Sequence, residues 1–122
     1  MKTKIDKTEI GQRGEQAAAR FLYSRGFEIL AQNWRSGRYE IDIVARRDDV
    51  IHIVEVKCRK ANGLTTPYEA LTVKKFESLV CATQRYIEQN AIDCEIEFDL
   101  IAATHNPDDS ISIDYVPDIR PL

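Results

Sequence analysis

The chain has 122 residues, 43% apolar and 30% charged, with a formal net charge of −3. That is about one domain's worth of soluble globular chain, long enough to fold without a disulfide or metal staple. Charges break every apolar run short of the ~18 residues of a membrane span. The opening MKTKIDKTEIGQRGE carries no apolar h-region, so no secretory signal is expected. Cys58, Cys81 and Cys94 are odd in number and form no C-x-x-C pair. This argues against a disulfide framework and fits a reducing cytoplasm.

No repeat, low-complexity tract or linker divides residues 1–122, so a single domain is expected. Gly14, Ala17, Ala18, Phe21 and Leu22 recur at three- and four-residue spacing, predicting a helix from Thr8 to Arg25 with Gly26 as its stop. A strand follows from Phe27 to Trp34, with Phe27, Ile29 and Ala31 alternating against Glu28, Leu30 and Gln32. Ser36-Gly37 marks a turn. Tyr39–Arg46 and Val50–Lys57 are the clearest strands, joined at Asp48-Asp49 as a hairpin. Thr66-Pro67-Tyr68-Glu69 has the form of a capping box, and the main second helix runs from Thr72 to Asn90. Its apolar stripe is Phe76, Leu79, Val80, Thr83, Tyr86 and Ile87. Glu95–Ala103 and Ile111–Val116 close the chain as two further strands. The order αβββαββ predicts an α/β fold, a mixed central sheet flanked by helices.

Strand alternation places Glu40, Asp42 and Val44 on one face, opposite Ile41, Ile43 and Ala45. Ile51, Ile53, Glu55 and Lys57 share a face of the next strand, opposite His52, Val54 and Val56. With a two-residue loop at Asp48-Asp49, Asp42 faces Glu55 and Glu40 faces Lys57. Opposed carboxylates repel, and a divalent cation between them removes the repulsion. Hard oxygen ligands suit Mg²⁺, or Mn²⁺ in its place, and a neighbouring lysine can orient a water. These are the parts of a metal-assisted phosphodiester cleavage. The bland alternative is an exposed hairpin face laced with ordinary salt bridges.

The sequence then resembles a known family. Gly11-x-x-Gly14-Glu15, Ala18, Phe21-Leu22, Gly26-Phe27, Asn33-Trp34-Arg35, Glu40-Ile41-Asp42 and Val54-Glu55-Val56-Lys57-x-Arg59 occur in the order seen in the YraN-like family. The resemblance spans about residues 10 to 103. It implies the restriction-endonuclease-like fold of the PD-(D/E)xK nuclease superfamily. It also implies that Asp42 and Glu55 are the metal-binding acids, Lys57 is the catalytic lysine, and Glu15 is a supporting acid. Register and resemblance together add the backbone carbonyl of Val56 as a further metal ligand. Tyr39 stands where the family often has Gly, and Ile41 where the superfamily's nominal motif has Pro.

The charge is unevenly spread. Residues 1–90 hold 16 Lys and Arg against 12 Asp and Glu, whereas residues 91–122 hold one Arg against eight acids. The first part could attract a polyanion, although on charge alone solvated helix faces are the better account. With the nuclease resemblance, nucleic acid, DNA before RNA, is the expected partner, approaching Arg35, Arg59, Lys60, Lys74 and Lys75 through its phosphates. Trp34 and Tyr68 are candidates for base stacking, with packing the better account of Trp34. His52 reads as structural, Cys58 lacks a partner that would make it a nucleophile, and His105 falls in a loop with no partner. Three functions compete: a metal-dependent nuclease, a non-catalytic nucleic-acid-binding module on the same fold, and an interaction protein whose acidic end docks on a larger DNA-processing protein.

Overall fold

The computed structural model describes residues 7–61 and 71–120. Helix α1 (Lys7–Ser24) leads into β1 (Glu28–Ser36), β2 (Tyr39–Arg47) and β3 (Val50–Lys60), then α2 (Val73–Asn90), β4 (Glu95–His105) and β5 (Ile111–Val116). The five strands form one sheet in the order β1-β2-β3-β4-β5. Among the described residues, only β3 and β4 pair in parallel. This is an α/β fold in the order αβββαββ, with a mixed sheet between two helices. No described helix is long and apolar enough to cross a membrane.

Local chemistry explains the punctuation. Gly26 takes φ +86°, its amide donates to the Tyr23 carbonyl, and the Phe27 amide donates to the Leu22 carbonyl. That is a Schellman ending, which favours glycine because the left-handed conformation costs it nothing. Asp48 and Asp49 both have positive φ, 52° and 63°, the geometry of a two-residue type I′ hairpin turn. The segment Thr66-Pro67-Tyr68-Glu69 lies outside the described residues. Helix α2 is capped by Thr72, whose hydroxyl accepts the Lys75 amide at 3.1 Å.

The sheet buries both faces. Under α1, Ala18, Leu22 and Phe27 pack on Ile43, Ala45, Val54, Val56, Ile101 and Ala103. Under α2, Leu79, Ala82 and Tyr86 pack on Ile41, Val44, Ile51 and Ile53. Strands β3 and β4, central and covered on both sides, read as nearly continuous buried runs, as parallel pairs do.

The expected alternation fails at two places. A β-bulge between Ile29 and Ala31 shifts the register of β1, so Ile29 packs toward α1 while Leu30, Ala31 and Trp34 pack toward α2. In β2, Ile41 joins Val44 beneath α2 instead of sharing the face of Ile43 and Ala45. The face changes at Asp42, just beyond the last β2–β3 pair, Ile43↔Val54.

Candidate metal and nucleic-acid site

Positions summing to 97 do pair from Arg47↔Val50 to Ile43↔Val54, the register expected of a two-residue loop. The pairing stops there, so Asp42 does not sit across a ladder rung from Glu55. Instead β2 swings away, and Asp42 Oδ2 accepts the Val56 amide at 2.8 Å. The carboxylate takes the place that a β2 carbonyl would have filled. Glu40 likewise does not pair with Lys57. It lies opposite Arg35 on β1, whose guanidinium it meets at 3.2 Å.

Glu55 is buried, 7% exposed, on the α2 side of β3. Its Oε1 lies 3.0 Å from Lys75 Nζ and 3.7 Å from Lys57 Nζ. Lys75, expected to face phosphate, is thus brought onto the buried acid by the first turn of α2. Burial, then the neighbouring Lys75 amine, lowers the pKa of Lys57, while Lys57 and the charge of Glu55 raise that of Lys75 despite its own burial.

The Asp42 carboxyl is pushed up to about 7, first by burial and then by the charge of Glu55, with Glu15 and Glu40 adding to it and the Val56 amide opposing. Glu15, half-buried on α1, therefore reaches the same charge cluster from the other helix. The arrangement fits a hard divalent ion. The donors are carboxylate oxygens, they repel one another, and among the described residues Asp42 Oδ1 has no hydrogen-bond donor.

Beside Glu55 opens a pocket of about 290 Å³, bounded by Arg38, Tyr39, Glu40, Lys74, Lys75 and Ser78. Sequence reasoning missed Ser78 as a pocket wall; nothing in its spacing signals it. The other expected phosphate contacts are dispersed. Lys60 is exposed at the end of β3, and Arg35 is exposed but salt-bridged. Arg59 turns toward β4 and β5, donating to Thr104 Oγ1 at 3.0 Å and lying 4.0 Å from Asp114.

Trp34 packs edge-on against Tyr86, with ring centroids 5.3 Å apart, whereas Tyr68 lies outside the described residues. Burial raises the Cys58 thiol to about 11, so it is inert. His105 corrects the sequence expectation. It ends β4, and its Nε2 lies 2.8 Å from Asp109 Oδ1, which also accepts from Arg13 at 2.7 Å. His52 lies on the α1 side of the sheet beside Phe27, away from Glu55.

The sequence profile of the Uncharacterised protein family UPF0102 matches residues 14–103. A UPF0102 protein of Lawsonia intracellularis is 47% identical over 79 residues, covering 65% of this chain and 60% of its own length. One from Phocaeicola vulgatus is 34% identical over 96 residues, 79% of each chain. The chain spans 47% of the length of a relative in Oleidesulfovibrio alaskensis, at 43% identity over 77% of this chain. A crystal structure of a Holliday junction resolvase from Archaeoglobus fulgidus is similar at TM-score 0.49 and 18% identity, over 87% of this chain and 75% of that one.

Proposed function

Starting from a chain that belongs to the family UPF0102, we propose that it is a metal-dependent nuclease hydrolysing phosphodiester bonds in DNA, with Mg²⁺ or Mn²⁺ as its ion. One observation carries this reading: Asp42, held on the Val56 amide, and Glu55, one residue before it, share a single charge cluster with Lys57. Asp42, Glu55 and the Val56 carbonyl would hold the ion, with Glu15 supporting them. A bound divalent ion lowers the pKa of its water and screens charge developing on phosphate. Lys57, its pKa lowered by burial and by Lys75, would position or deprotonate the attacking water. Arg38 and Lys74 line the approach, where a phosphate backbone would lie.

A second reading, a binding module without turnover, draws support from the Lys75–Glu55 pair at 3.0 Å, which neutralises Glu55 without an ion. One experiment separates the two. Labelled duplex, branched and single-stranded DNA, and RNA, are incubated with the pure protein and with Glu55→Ala, in Mg²⁺ and in Mn²⁺. Cleavage by the parent alone is expected. Binding without cleavage favours the module, and equal cleavage by both proteins exposes a contaminant and defeats the nuclease reading.

A further inference from the structure

The α1 side of the sheet carries a second cluster of ligating groups, unrelated to Asp42 and Glu55. Glu97 and Asp99 stand two residues apart on β4 and so point the same way. His52 lies opposite Glu97 in the parallel β3–β4 register. His52 Nδ1 is 2.7 Å from Asp99 Oδ2 and 3.1 Å from Glu97 Oε2, and the three donor atoms all lie within 4.8 Å of one another. Asp99 is fully buried, His52 is 5% exposed, and Glu97 reaches the surface, its side chain 30% exposed.

A buried carboxylate needs a compensating partner, and here two carboxylates converge on one imidazole nitrogen, which can donate only one proton. A cation held by all three removes that conflict. The Asp99 carboxylate is already oriented from behind. Tyr115 donates its hydroxyl to Oδ2 at 2.6 Å, and the Asp118 amide donates to Oδ1 at 3.0 Å. Such outer bonds are what ligating carboxylates carry. Phe27, edge-on to the imidazole at 4.9 Å, closes the apolar side.

We propose that His52, Glu97 and Asp99 form a zinc site that ties β3 to β4 and, through Tyr115, to β5. One imidazole with two carboxylates is a borderline N/O donor set, which selects Zn²⁺ over Mg²⁺. A tetrahedral site with bonds of about 2.0–2.1 Å needs its donors to open by a few tenths of an ångström, leaving the outer position to water on the Glu97 side. Binding displaces the proton from His52 Nδ1.

The test uses the full chain carrying Asp42→Asn and Glu55→Gln, so that the first site cannot compete. Co²⁺ is titrated with visible absorption as readout, then displaced by Zn²⁺. The expected result is one equivalent of Zn²⁺, a raised melting temperature, and binding roughly 10–100-fold weaker on adding either His52→Gln or Glu97→Gln. Glu97 is partly exposed, so Glu97→Gln keeps the test valid if His52→Gln fails to fold. Absence of Zn²⁺ binding overturns the site. So does affinity unchanged by Glu97→Gln, which would assign the metal to Cys58, Cys81 or Cys94.

Discussion

The Val56 amide donates to Asp42 Oδ2 at 2.8 Å, at the point where β2 leaves the side of β3. A side chain thus performs a backbone's task while remaining a charged group beside Glu55. Asp42→Asn keeps an acceptor for that amide and removes the charge. It should abolish Mg²⁺ binding beside Glu55 and cleavage, and leave the metal-free fold as stable or more so. Asp42→Ala also strands the amide and should cost about 1–3 kcal/mol. Urea unfolding of the two variants checks the contrast.

The pH dependence of the metal-free protein follows from the same carboxyl. Its folded pKa of about 7 lies above the ordinary 3.8, so the folded state holds a proton that the unfolded chain releases. The stabilisation from Asp42 is therefore complete below about pH 4 and is lost as pH rises through 7. Urea midpoints should carry a downward contribution between pH 5 and 8, and Asp42→Asn should remove it. Mg²⁺ competes with that proton, so its affinity should rise across the same interval.

The two lysines should separate by function. Lys57→Ala is expected to keep Mg²⁺ binding and lose turnover. Lys75→Ala removes the cation 3.0 Å from Glu55 and should tighten Mg²⁺ binding, read by calorimetry. Equal loss of metal in both variants would place the ion elsewhere.

Charge reversal at Arg38 and Lys74 should weaken DNA binding for every sequence. It should also flatten the salt dependence, by about one unit of slope for each phosphate that is no longer neutralised. An unchanged slope would move the interface away from the pocket beside Glu55.

Gly14 is a packing requirement. A methyl group there would overlap Cys58 Sγ and crowd the Ala103 methyl at 3.2 Å. Gly14→Ala should destabilise the fold by about 1–3 kcal/mol. Adding Cys58→Ala should recover part of that loss in the same unfolding assay.

Element order and the β2–β3 register were legible because turn chemistry and period-two patterning are local. Asp48-Asp49 alone fixes which β2 residue meets which β3 residue. What escaped was decided at longer range. The bulge at Ile29/Ala31 and the face change at Asp42 depend on how β1 and β2 meet two different helices. Lys75 on Glu55 and Asp109 on His105 join residues 20 and four positions apart through folds of the chain that periodicity does not encode.

The parallel pairing of β3 with β4 has a kinetic consequence. Strands β1 to β3 form a meander of tight turns, whose closure is entropically cheap, whereas β4 reaches β3 only after the chain has crossed over through α2. Asp42 and Glu55 belong to the early-closing part, and Lys75 arrives with the crossover. Folding should therefore pass a stage in which the two acids lie in one charge cluster without Lys75. Salt or Mg²⁺ during refolding should quicken the rate, and Lys75→Ala should accelerate unfolding more than it slows folding.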